Sequence, residues 1–284
     1  MANKIAVVLD STTTLPKDFL KGLEIRIAPA IIIWGQEEMR DGVDIQPDEF
    51  FRRLAAAKEM PSTSQATPIM FQEIYAELLA KGYDLLVVTI SSKLSGMYTS
   101  AVQAKEMFPD AKIEVVDSLT GTMTIGLSLT KVAEAIKAGA SLQECRQILE
   151  HALANTGVLL TVDTLEYLHR GGRIGGATKF LGSALKLKPI LEVVNGSFEG
   201  LEKVRTRSKA LDRLVDLTLE RIGDRRPIEI AALHADARQV AEDVIEKFKQ
   251  RVETVRTVVT SVSPGVGVHL GPGTVGLAFL AGVE

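Results

Sequence analysis

The feature that most constrains this chain is a repeated unit: a short, mostly apolar run, then an acidic or hydroxyl residue, then a helix signature. Ile5-Ala6-Val7-Val8-Leu9 closes at Asp10-Ser11-Thr12, Leu85 to Ile90 at Ser91-Ser92, and Ile113 to Val116 at Asp117-Ser118. The uninterrupted run Ile5 to Leu9 suits a strand covered on both faces, with the polar residues marking its carboxyl end, and the other two repeat the theme. Between and after them the spacing predicts helices over Pro47 to Ala57, Thr67 to Ala80, Ser95 to Met107, Met123 to Lys137 and Leu142 to Leu153. The last opens on Ser141 and Glu144, a capping-box spacing. A further apolar run spans Ile25 to Ile33. Strand, polar turn and helix in alternation imply a doubly wound, mostly parallel sheet.

The pattern changes near residue 157. Gly157 to Val162 reads as a strand, Asp163 to Arg170 as a short helix and Gly171 to Gly176 as a loop. Lys188 to Val193, Asn195-Gly196 and Phe198 to Lys203 form a hairpin signature, since Asn-Gly favours a type I′ turn. A helix from Ser208 to Arg221, a strand Ile228 to Leu233, a helix Ala237 to Gln250 and strands near Val255 and Val275 follow. Hairpins mixed with crossovers predict a mixed sheet. The expected organisation is therefore an α/β protein of two domains, residues 1–156 parallel and residues 157–284 mixed.

Composition narrows the functional classes. The 284 residues carry 33 Lys and Arg against 36 Asp and Glu, a net charge of −3, which argues against nucleic acid as the main partner. The single cysteine, Cys145, excludes a disulfide scaffold and a cysteine-only metal site, and suits a reducing cytoplasm. MANKIAVVLD carries an acid within ten residues and does not read as a signal peptide. No run approaches the roughly 20 apolar residues that span a bilayer, so stable membrane insertion is not expected. The chain is 46% hydrophobic but only 5% aromatic, so its apolar mass is aliphatic.

Familiar cofactor signatures are missing. No Lys is followed by Ser or Thr, which removes the P-loop, and the first strand runs into Asp10-Ser11-Thr12 where a dinucleotide fingerprint would need glycines. There is no G-x-S-x-G elbow, and His151, His169, His234 and His269 are scattered without zinc-ligand spacing. What remains are hydroxyl- and glycine-rich segments at strand ends. Ser95-Gly96 begins a helix, where free amides and the helix dipole favour a carboxylate or phosphate. A plain helix cap explains Ser95 equally well. Thr63 lies in a segment that can converge with it. In His269-Leu270-Gly271-Pro272-Gly273, glycines beside an imidazole allow close approach to a ligand; the plain alternative is a tight turn with an incidental histidine. Arg173, bracketed by glycine pairs, reads as a held functional cation, whereas a solvated face explains Lys203, Arg205 and Arg207.

Taken together these segments resemble the DegV family of bacterial fatty-acid-binding proteins. The resemblance covers nearly the whole chain in order: Asp10-Ser11-Thr12, Asp41-Gly42-Val43-Asp44-Ile45, Thr63-Ser64-Gln65, Ser91 to Gly96, Val116-Asp117-Ser118, Gly171-Gly172-Arg173-Ile174, Leu187 to Leu191, Lys203-Val204-Arg205 and His269 to Gly273. It implies one long-chain fatty acid such as palmitate held between two domains. The carboxylate would fall on Thr63, on Ser95 with the Gly96 amide, and on His269, with the tail in an aliphatic tunnel. It further implies a non-catalytic carrier subunit whose ATP-dependent fatty-acid kinase partner phosphorylates the bound acid, with Arg173 near the head group and Arg205 on the partner-facing surface. No other cofactor and no metal is expected. The sequence departs from the family at Ala66-Thr67-Pro68, where Pro-Ser-Pro is frequent, at Met97, where Thr is common, and at Thr206, where Gly often follows the arginine. Two other classes compete: a serine-dependent acyl hydrolase or transferase using Ser95 and His269, and a binder of small phosphorylated ligands.

Overall fold

The computed structural model describes residues 4–16, 18–182 and 187–284. Met1, Ala2 and Asn3, part of the segment read above for a leader, lie outside them. Among the described residues the strands form three sheets. The first is all parallel, in the order β2 (Glu24–Ala28), β1 (Lys4–Asp10), β6 (Tyr83–Thr89) and β7 (Ile113–Asp117). The two central strands, β1 and β6, are buried on both faces, as their apolar runs require, while the edge strands β2 and β7 are only partly covered. Helices α2 (Pro68–Ala80) and α3 (Met97–Glu106) pack on one side, and α4 (Met123–Lys137) and α5 (Leu142–Ala154) on the other. The capping box of Ser141 and Glu144 is present at the start of α5.

The chain runs from β1 outward to β2, then returns to the opposite side of β1 with β6. Ligands of open parallel sheets bind outside the carboxyl ends of strands at such a reversal. Here Asp10, at the end of β1, accepts hydrogen bonds from the Thr12 amide, the Thr12 hydroxyl and the Ile90 amide at the end of β6, the last at 2.6 Å. Burial raises the Asp10 pKa, and these donors oppose that shift.

The apolar run Ile25 to Ile33 is two strands in two sheets. Pro29 carries no amide for a ladder, and the chain breaks there. It resumes as β3 (Ile31–Trp34), the centre of a three-stranded antiparallel sheet with β4 (Glu37–Arg40) and β5 (Ser62–Ser64). This sheet is the element missing from the expected architecture. Its core is closed by α1 (Pro47–Ala56) through Phe50, Phe51 and Leu54.

The remaining strands form a mixed sheet in the order β10 (Ser197–Val204), β9 (Lys188–Val194), β8 (Thr156–Thr161), β13 (Val275–Ala281), β11 (Ile228–His234) and β12 (Arg256–Ser261). Only β11 and β12 pair in parallel. Asn195 and Gly196 turn the β9–β10 hairpin with φ of 49° and 83°, the left-handed pair a type I′ turn needs. Helices α7 (Arg207–Ile222) and α8 (Arg238–Lys249) cover one face. The other face meets α4 through Met123 and Leu127. A largely buried ion pair reinforces that contact: Lys131 on α4 stands 3.2 Å from Glu229 on β11, which also accepts from Arg256 at 2.8 Å.

The glycine-rich segment 171–176 is only partly a loop. Short helix α6 (Glu166–Arg170) precedes it, and from Gly175 the chain forms a 3-10 helix to Phe180. Likewise His269 does not sit in a turn. It occupies the last turn of α9 (Pro264–Leu270), and the turn follows it.

Candidate functional site

Four side chains distant in sequence come together at one cavity. Thr63 is presented by β5, Ser95 by the turn before α3, Arg173 by the loop after α6, and His269 by the end of α9. The cavity lies between the carboxyl edge of the parallel sheet, represented by Thr12 and Ile90, and the inner face of the mixed sheet, represented by Val158, Leu160 and Leu233. Its volume is about 90 Å³, below the roughly 300–1,000 Å³ usual for small-molecule sites. Its walls are mostly apolar; Thr63, Ser64, Gln65, Ser95, Arg173 and His269 form its main polar group, and Thr12, Thr122 and Thr274 also line it.

The centre of the polar group is a contact of 2.9 Å between Thr63 Oγ1 and His269 Nε2. The other ring nitrogen, Nδ1, is buried without a partner against the Cα of Gly171, where any Cβ would overlap it. A buried N–H without an acceptor is costlier than an unfilled ring lone pair. We therefore assign the proton to Nε2, which donates to Thr63 and leaves the Thr63 O–H free to donate into the cavity. Burial, with the Arg173 charge adding to it, lowers the His269 pKa to about 4, so the ring is neutral at pH 7.

Arg173 is held by two carbonyls: Nε donates to Leu94 at 3.0 Å and Nη1 to Gly171 at 2.7 Å. These bonds clasp the Ser95 turn to the His269 neighbourhood and place a positive charge on the cavity wall. The cap reading of Ser95 does not hold. The N-cap of α3 is Gly96 and no side chain caps it, so Ser95 is not the cap. Gly96 adjoins the cavity-lining Ser95, and its Cα packs on the Gln65 side chain. Arg205 is exposed at the bend after β10 and stands apart from the cavity. Of its neighbours, Arg207 binds Asp163 and the Gly273 carbonyl, and Lys203 lies 4.6 Å over the Phe180 ring.

Most other hydroxyl-rich segments are brackets rather than ligand contacts. Asp117 accepts from the Ser92 and Leu119 amides. Asp41 is buried and accepts from Ser11 at 2.7 Å, with Ser263 and the Gly265 amide as further partners. That set joins β1, the loop after β4 and the start of α9. Burial raises Asp41 to about 6 against these donors. Two positions where the sequence departs from the family pattern touch each other, since the Ala66 amide meets Met97 Sδ at 3.2 Å.

Sequence reasoning missed part of the apolar wall: Val193 on β9 and Phe198 on β10, whose alternation is that of ordinary core strands, and Val262 just after β12. It also missed Thr122, which lines the cavity with a buried, unpartnered hydroxyl at a φ of 60°. Its only signal was its place just after the Asp117-Ser118 strand end. Among the described residues no group of His, Cys, Asp and Glu is placed to hold a metal, and no helix is long and apolar enough to cross a membrane.

The fold and cavity define a mixed α/β protein with an aliphatic, polar-tipped cavity between two sheets. Residues 4–282 match the family model described as an uncharacterised protein of the DegV family. The chain belongs to the DegV family. It is 34% identical over 279 residues to a DegV domain-containing protein of Streptomyces coelicolor, covering 98% of both chains. A Thermus thermophilus structure, described as a fatty-acid-binding DegV family protein, superposes with a TM-score of 0.91 at 31% identity, covering 98% of this chain and 99% of that one. Bacillus subtilis DegV, described as a fatty acid binding protein, gives a TM-score of 0.86 at 32% identity with the same coverage.

Proposed function

We propose that this protein binds one long-chain fatty acid, with its carboxylate at Thr63, Ser95, the Gly96 amide and His269, near Arg173, and its alkyl chain along the aliphatic wall. The observation that carries this reading is the Thr63–His269 contact of 2.9 Å at the polar tip of an otherwise aliphatic cavity. An alkyl chain leaving water gains about 0.8 kcal/mol per methylene. Neutral donors then hold the carboxylate with about 1.5–3 kcal/mol each, while an adjacent cation offsets its desolvation. The reading includes two domains divided near residue 157, clasping the ligand between them. It also includes a carrier role in the cytoplasm, the acid being offered to an ATP-dependent kinase subunit that docks near Arg205.

A Ser-His hydrolase fits the geometry less well. His269 bonds Thr63, and its Nδ1 has no carboxylate to orient it. The test is displacement of a fluorescent fatty acid from Thr63→Ala, Ser95→Ala and His269→Ala variants. Each should bind palmitate at least tenfold more weakly than the unaltered protein. Unchanged affinity in all three would place the carboxylate elsewhere.

A further inference from the structure

A second, open groove lies against the cavity with a wall one residue thick between them. Met97, Gly121 and Val158 face the cavity while their chain neighbours Tyr98, Thr120 and Gly157 face the groove, and Val193 borders both. The sheet itself parts at this wall. The β8–β9 ladder ends at Leu159 and Glu192, although β8 continues along β13 to Thr156 and β9 along β10 to Val194. The next pair in register, Val158 with Val193, is where both cavities meet, and Gly157 beside it contributes no side chain. The hairpin leaves β8 to dock on the other half of the molecule, where Ser91 Oγ donates to the Gly196 carbonyl at 2.9 Å.

The facing side of the gap is residues 119–122. Leu119 and Thr122 hold φ of 50° and 60° there, conformations that side-chain-bearing residues adopt only under local constraint. Leu119 is 47% exposed on the groove, where it, Tyr98, Leu153 and Val193 supply apolar surface beside the gap and Asp117, Arg146 and Glu150 line the rest.

We propose that this gap is a rear port. On the fatty-acid reading, on which the proposal rests, the distal carbons of a long chain pass between β8 and β9, past Val193, and lie on the strip formed by Tyr98, Leu119 and Leu153. Val193 and Leu119 thereby set the upper limit of chain length. A closed tunnel would end at Val193 and reject longer acids.

The experiment measures binding of saturated straight-chain fatty acids from C14 to C22 to the full chain and to its Leu119→Asp and Val193→Phe variants. Each methylene returned from apolar contact to water weakens binding about fourfold. Leu119→Asp should therefore weaken C20 and C22 acids at least tenfold and the C14 acid less than twofold, and Val193→Phe should do the same from the tunnel side. Position 119 is exposed and left-handed, which Asp tolerates, so that variant reports even where Val193→Phe misfolds. A C22 acid carrying a diazirine near its methyl end should label Tyr98, Leu119 or Leu153. Equal losses at every length, insensitivity of the long acids, or labelling confined to the tunnel would overturn the port. If the unaltered protein binds none of these acids, the fatty-acid reading itself fails and takes the port with it.

Discussion

His269 gives the sharpest link between the site's geometry and a bulk measurement. Its native pKa of about 4 stands below the ordinary value of 6.5 because the ring is buried and Arg173 is close. Between those two values the unfolded chain binds a proton that the native protein refuses. The contribution of His269 to stability is therefore full above about pH 6.5 and is lost as pH falls toward 4. At one pKa unit per 1.36 kcal/mol, about 2 kcal/mol disappears between pH 7 and pH 5. Asp41 acts in the opposite sense. Its raised value of about 6 means the native state keeps a proton that the unfolded state gives up, so stability is gained on the same descent. The two partly cancel in the unaltered protein, and His269→Gln separates them. Urea unfolding followed by the single tryptophan, Trp34, which is buried, should show His269→Gln gaining about 2 kcal/mol relative to the unaltered protein between pH 7 and pH 5. Saturation with a fatty acid should shrink that difference, because a carboxylate beside the ring raises its pKa. A difference that stays constant within about 0.5 kcal/mol would refute the neutral, buried imidazole.

Two other perturbations probe the frame around the site. Glu229→Ala strands the nearly buried Lys131 and should cost about 3–5 kcal/mol by urea unfolding; a loss under about 1 kcal/mol would show that the contact of α4 with the mixed sheet does not depend on this pair. Gly171→Ala pushes a methyl into His269 Nδ1, so fatty-acid affinity should fall at least tenfold with a much smaller loss of stability. Retained affinity would mean His269 need not hold its observed position.

The sequence made the parallel half of the fold legible because its signals are local. Apolar runs gave β1, β6 and β7, and Ser141 with Glu144 marked the start of α5. Local signals fail where partners are distant. Ile25 to Ile33 reads as one run because nothing at Pro29 says that Ile31 pairs with Ser64 rather than continuing along β1. The same limit governs the site. Thr63 and His269 are 206 residues apart, so spacing says nothing of their contact, and the resemblance implies only that both meet a carboxylate. Val158 and Leu160 alternate like any core strand, and only the assembled sheets show that they border empty space. Ser95 could be read as cap or ligand contact until the backbone placed Gly96 at the cap. Asp10 and Asp117 stand at strand ends, and only the assembled structure shows that both accept from neighbouring amides.

The central claim is that the cavity holds an acyl chain with its carboxylate at the polar tip. Mass spectrometry of the protein purified from cells, native for stoichiometry and denaturing for identity, tests it most directly. The account requires one C14–C18 fatty acid per chain, with occupancy falling in the Thr63→Ala and Ser95→Ala variants. A ligand-free protein that also takes up no palmitate or oleate on incubation would contradict it.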